Sequence, residues 1–264
     1  MKAFYFGPPA KPLFGALELP RKSSNLPRGV VLCAPVGHEA VRAHRALRQL
    51  SLRLAASGLH VLRFDYYGCG DSAGDCGEGD AEQWVSDVEL AASELVSAAA
   101  LPRLYLMGLR LGASLATLAA ARRRDVEGLV LWEPVPDGTA YLEDQCALHR
   151  GWLTRRAEMA GPMDVFDDGG EILGFPLTTA LRQTIGAIRL SELVRRPAPR
   201  VIIVERKETV GGRNLERRLA DLGAEVTYLL VPDQAIWAAG PRDQAVVPRH
   251  TLDAVIDWIE KDRP

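Results

Sequence analysis

The chain has 264 residues, 47% of them apolar and 25% charged, with a formal net charge of −2. That length supports one sizeable α/β domain with a large core. The near-neutral balance excludes bulk electrostatic attraction to nucleic acid or to an anionic membrane, and no apolar run reaches membrane-spanning length.

The predicted elements begin with a strand pair at 2–7 and 13–19, split by Gly7-Pro8-Pro9. Residues 29–34 form a short apolar run before Pro35, the pattern of a buried parallel strand. Helical periodicity follows over 44–57 and stops at Gly58. His60–Tyr66 reads as the next strand, and a Gly-rich loop covers 67–80. A helix over 81–99 places Trp84, Val88 and Leu95 on one face. Strand 103–108, helix 111–123 and strand 126–132 come next, then strands at 199–205 and 225–231 and a closing helix over 251–260. Strands alternating with helices predict a mostly parallel sheet covered on both faces.

Only 136–196 breaks this rhythm. It carries two expected helices, about 139–159 and 177–190, separated by Gly161-Pro162 and the turn Asp167-Asp168-Gly169-Gly170. The expectation is a single domain, 1–264, with a lid inserted at about 136–196. The basic clusters Arg122-Arg123-Arg124 and Arg195-Arg196 sit at expected helix ends, where cations suit the dipole. Cys33, Cys69, Cys76 and Cys146 lack metal-ligand spacing, and the start shows no charged-then-apolar leader. A reduced, cytoplasmic protein is the default.

The chemistry centres on Gly108-Leu109-Arg110-Leu111-Gly112, between an apolar strand and an alanine-rich helix. This is the G-x-S-x-G pattern of a nucleophile elbow, with Arg110 in the serine slot. Arginine stays protonated and cannot attack. It can grip a carboxylate, phosphate or oxyanion, and a helix N-terminus favours the same anions. The other reading is a decayed site, with Arg110 paired to a nearby acid.

A second motif, Arg63-Phe64-Asp65-Tyr66-Tyr67-Gly68-Cys69-Gly70-Asp71-Ser72-Ala73-Gly74, has the form R-x-D-x-x-G-x-G-x-S-x-G. With the Trp84…Asp87 helix, it resembles the α/β-hydrolases of the serine aminopeptidase-like group. Gly-Leu-Arg-Leu-Gly-Ala and Leu131-Trp132-Glu133-Pro134-Val135 resemble a narrower bacterial branch. That branch includes hydrolases associated with the exosortase A system and relatives near biosynthetic gene clusters. The resemblance spans nearly the whole chain, including Gly174-Phe175-Pro176-Leu177. It implies an α/β-hydrolase fold, a mostly parallel eight-stranded sheet with helices on both faces and a helical lid.

The resemblance also locates the other site positions. The loop after strand 29–34 supplies an oxyanion-hole N–H, at Val36 or Gly37, to act with Leu111. His38 and Glu39 overhang the same crevice. His38, with an ordinary pKa of about 6.5, is the best-placed general base or acid; otherwise it bonds backbone and holds the turn. Glu39 could orient His38 or pair with Arg110 or Arg42. Acid candidates are Glu205, Glu208 and Glu133. Trp237 stands where the family's histidine is expected, and His250, the only late histidine, reads as a partly exposed helix residue. Glu133, at the end of its strand, is expected beside Arg110 as a structural pair or an ionised base. Cys69, Ser72 and Ser114 are weak substitutes for the nucleophile.

Two functions follow. One is a noncanonical hydrolase, lyase-like or cyclising enzyme acting on a small acyl or amide substrate. Arg110 would bind an anionic or carbonyl group there, with His38, Glu39 or Glu133 moving protons. The other is an inactive pseudo-hydrolase serving as a ligand-binding or accessory protein in a biosynthetic pathway. In either case the expected partner is a small or carrier-linked acyl molecule, in a monomer or homodimer. No nucleic acid, membrane, cofactor or metal is expected: the Gly-rich loop lacks the lysine of a phosphate-binding loop.

Overall fold

The computed structural model describes residues 1–21, 27–160, 170–238 and 247–261. Gly161-Pro162 and Asp167-Asp168-Gly169 therefore lie outside the described residues. Eight strands form one sheet: β1 (Lys2–Phe6), β2 (Leu13–Glu18), β3 (Gly29–Cys33), β4 (His60–Phe64), β5 (Leu104–Leu109), β6 (Val126–Trp132), β9 (Arg200–Glu205) and β10 (Glu225–Leu230). Their spatial order is β1-β2-β4-β3-β5-β6-β9-β10. The β1–β2 and β2–β4 pairs are antiparallel, and all pairs from β4 to β10 are parallel.

The alternation of side chains along the central strands decides which helix packs where. In β5, Leu104 and Leu106 face one layer while Tyr105, Met107 and Leu109 face the other. Val201 and Ile203 of β9 oppose Ile202 and Val204 in the same way. The first layer holds α2 (Ala81–Ala99), α3 (Leu111–Arg122) and α6 (Val210–Asp221), through Trp84, Val88, Leu115, Leu215 and Leu219. The second holds α1 (Gly37–Ala56) and α7 (Arg249–Glu260), through Leu47, Leu50, Leu252 and Val255. Sides that would face water in an antiparallel sheet are thus both buried, as the continuous apolar runs require.

Between β6 and β9 the chain forms α4 (Gly138–Ala160), a small antiparallel hairpin of β7 (Glu171–Ile172) and β8 (Phe175–Pro176), and α5 (Thr179–Gly186). Tyr141, Leu142, Leu177, Leu181 and Ile185 of this segment join the core beside α2 and α3.

The β7–β8 hairpin is an addition to the two helices expected in its segment, and α1 and α6 also differ from expectation. Helix α1 begins at Gly37 rather than near residue 44, so His38 and Glu39 stand in its first turn and not in a loop. Its N-cap, Val36, makes no side-chain capping bond, and this removes the usual start signal. Helix α6 is an addition: its first turn holds Gly211 and Gly212, and Leu215 and Leu219 are its buried apolar residues, too few to stand out as a periodic stripe.

Candidate functional site

The strand-to-helix turn after β5 places Arg110 at the N-cap of α3, with φ 55° and ψ −125°. A non-glycine residue there carries backbone strain of about 1–3 kcal/mol, which the surroundings must impose. They do so through bonds on both sides: Arg110 N–H donates to Trp132 O at 2.9 Å, and Ala113 N–H donates to Arg110 O at 3.0 Å. The flanking glycines admit no side chain. A Cβ on Gly112 would run into the backbone carbonyls of Cys33 and Ala34, and one on Gly108 into the backbone of Gly112 and Ala113.

The Arg110 guanidinium is held on one edge by an acid and flanked by two rings. Its Nε donates to Glu39 Oε1 at 3.0 Å. The guanidinium carbon lies 5.6 Å from the Tyr141 ring centre and 5.4 Å from that of Trp237, both within cation–π range. Glu39 is 1% exposed and accepts two further bonds, from Tyr141 Oη at 3.1 Å and Gln145 Nε2 at 3.3 Å. Burial pushes the Glu39 carboxyl above its ordinary pKa, and Arg110, Tyr141 and Gln145 act against that rise. Tyr141 and Gln145, four residues apart on α4, were missed by sequence reasoning. Their spacing puts them on one helix face, but nothing local marks Glu39 as their target.

A cavity of about 860 Å³ lies alongside. Val36, Gly37 and His38 stand on its wall, whereas Arg110, Leu111, Glu39 and Glu133 do not. Tyr141 and Gln145 touch both places, since they line the cavity and hold Glu39. His38 is pushed down to about 4, first by burial and then by the charges of Arg42 and Arg110. The near-neutral base expected at this position is therefore corrected: an imidazole beside two guanidiniums resists a proton.

The expected Arg110–Glu133 pair is also corrected, because the ion pair of Arg110 goes to Glu39. Glu133 has φ 46° and accepts the Arg206 N–H at 2.6 Å. Its pKa is raised by burial, against the bond from Arg206. Trp237 is buried beside the turn, with Arg110 and Arg206 both over its ring. Glu205 is buried under Thr209 and Tyr228, which both bond its carboxylate, and Glu208 is paired with Arg213 at 2.7 Å. His250 is exposed and bonds Asp233 at 2.9 Å.

The substitute nucleophiles have structural partners. Ser72 accepts the Phe14 N–H at 2.8 Å and donates to Asp65 O, which ties the 67–80 loop to β2. Ser114 is buried and donates to Val135 O at 2.6 Å. Burial pushes the Cys69 thiol up to about 12, where almost no thiolate exists at neutral pH. Among the described residues there is no cluster of three or more metal-binding side chains, and no helix is long and apolar enough to cross a membrane.

The fold has many solved counterparts. Est1E from Butyrivibrio proteoclasticus, solved with ferulic acid bound, is 18% identical with a TM-score of 0.66, covering 98% of each chain. The Pyrococcus furiosus esterase PF2001 is 15% identical with a TM-score of 0.64, covering 98% of this chain and 90% of that one. Mouse alpha/beta hydrolase domain-containing protein 10 is 19% identical with a TM-score of 0.57, covering 99% of each chain. No curated protein sequence matches significantly. The family model Hydrolase_4, serine aminopeptidase S33, matches residues 25–163. The elbow turn, the β3–α1 loop and the Gly-rich loop all lie inside that match, and the chain belongs to the serine aminopeptidase S33 family of α/β-hydrolases.

Proposed function

We propose that this chain is a catalytically inactive α/β-hydrolase that binds a small, largely apolar molecule beneath a lid that includes α4, β8 and α5. The observation that carries this reading is the pairing of Arg110 with Glu39, off the cavity wall. An arginine receiving a substrate anion needs a free fork facing an open position. Here Glu39 takes its charge, Tyr141 and Trp237 flank it, and the cavity opens elsewhere. Arg110 stands where a serine hydrolase keeps its nucleophile, and Trp237 where it keeps its base. Retaining a cavity within the range typical of ligand sites, roughly 300–1,000 Å³, favours binding over simple decay.

The test combines a fluorophosphonate probe with p-nitrophenyl ester hydrolysis. The expected result is no labelled serine and no turnover above buffer, in the native chain and in Arg110→Ser alike, because the variant still carries Trp237 in place of the family's histidine and His38 is a weak base. Labelling at any serine of the native chain overturns the reading.

The noncanonical enzyme is supported by one observation, His38 on the cavity wall. With its pKa near 4 it is a weak base, and general catalysis is most efficient near the working pH. Ester or amide turnover lost in His38→Gln but kept in Arg110→Ser would favour that second reading.

A further inference from the structure

The cavity rests on two kinds of wall. Phe175, Leu177, Leu181 and Ile185, from the segment between β6 and β9, make an apolar roof. The segment after β4 contributes Asp65 and Asp75. Among the described residues that line the cavity there is no lysine or arginine. Accepting the binding role above, we propose that the cavity selects an apolar amine and rejects the matching carboxylate, with Asp65 and Asp75 receiving the cationic head.

Among the described residues, no lysine or arginine on the wall matches these two carboxyls. Asp65 Oδ2 accepts the Asp71 N–H at 3.0 Å, a bond that orients the carboxyl but brings no positive charge. The loop from 65 to 80 carries Asp71, Glu78 and Asp80 besides these two, and no basic residue. Lys11 lies over the Tyr67 ring, 4.5 Å from its centre, and Arg63 offsets part of the Asp65 charge; neither stands on the cavity wall, whereas His44, which also acts on Asp65, does. At the other end, Arg42 and Arg110 influence His38 but stand behind the wall, and Arg110 is already paired with Glu39. His38 and His44 complete the titratable groups of the α1 side. An incoming carboxylate would meet a like charge at the half-buried Asp65 and another at the exposed rim, Asp75, and an ammonium would meet two opposite ones. The apolar body then fills the roof against Phe175 and Leu181, where burial of surface supplies the bulk of the affinity.

Isothermal titration of the whole chain at pH 7 and low salt tests this with 1-naphthylmethylamine, 1-naphthylmethanol and 1-naphthoate. The amine should bind at least tenfold tighter than the carboxylate, with the alcohol between, and 0.5 M NaCl should narrow the gap. Asp65→Asn, which keeps an acceptor for the Asp71 N–H, should weaken the amine about tenfold and leave the alcohol unchanged. Asp75→Asn, at the exposed rim, should act in the same direction and guards against misfolding of the first variant. Ile172→Trp, which fills the cavity, should weaken all three probes. Equal or tighter binding of the carboxylate overturns the charge selection and leaves the binding role standing. Amine preference unchanged in both Asn variants overturns the assignment to Asp65 and Asp75. No binding of any probe at millimolar concentration overturns the binding role itself.

Discussion

Arg110, half-buried, and Glu39, buried, form an ion pair at 3.0 Å that joins the first turn of α1 to the turn after β5. Removing one partner of such a pair strands a charge and costs about 3–5 kcal/mol. Glu39→Gln and Arg110→Met are each expected to lose that much in urea unfolding. The double variant should lose less than the sum by about 1–3 kcal/mol, the coupling expected of contacting residues. Simple additivity of the two losses would show that the pair contributes nothing of its own.

His38 is expected to stay neutral through pH 5. Its folded pKa, about 4, lies below the unfolded value near 6.5. Between those values the unfolded chain holds a proton that the folded chain refuses, so stability falls as pH drops from about 6.5 toward 4. Glu39 works the other way, because its raised pKa lets the folded chain hold a proton just above the ordinary carboxyl range. His38→Gln should therefore flatten the acid limb of a stability profile. An NMR titration of the imidazole carbon showing a midpoint above 6 would contradict the assignment.

Gly112 has no room for a methyl group against the Cys33 and Ala34 carbonyls. Backbone cannot move aside as a side chain can, so Gly112→Ala is expected to destabilise by more than about 2 kcal/mol. Gly223→Ala is the control for a change with open space around it, where the cost comes from φ 84° alone. Chemical denaturation of the two variants compares steric and conformational penalties directly; a larger loss at Gly223 would refute the steric account.

Thiol reactivity should rank by exposure. Cys76 is exposed, Cys69 and Cys146 are half-buried, and Cys33 is buried. Burial raises the pKa of both Cys33 and Cys69. With iodoacetamide at pH 7.5, Cys76 should modify first and Cys33 only on unfolding, as read by peptide mass mapping. Rapid modification of Cys69 would reveal a thiolate that burial does not permit.

The sheet was legible because its central strands are continuous apolar runs, such as Leu104–Leu109 and Val126–Trp132, bounded by glycine, proline or charge. The start of α1 was hidden by its mixed residues and uncapped Val36, which concealed that His38 and Glu39 point from a helix. Glu39 was recognised as a possible partner of Arg110, since both belong to segments at the same sheet edge. Which acid Arg110 would choose was not legible. Glu133 is nearer in sequence, yet its positive φ turns it to the Arg206 N–H. Tyr141 and Gln145 reach Glu39 across 102 and 106 positions, a distance over which local pattern carries no information.

That long reach has a kinetic meaning. The contacts of Glu39 with Arg110, Tyr141 and Gln145 close loops of 71, 102 and 106 residues, so ordering them early would cost the most chain entropy for the least return. They are expected to form after the main folding barrier has been crossed. Contacts made that late act on escape from the native state rather than on arrival. The cluster is thus a fastener: weakening it should leave the refolding rate nearly constant and shorten the lifetime of the folded chain.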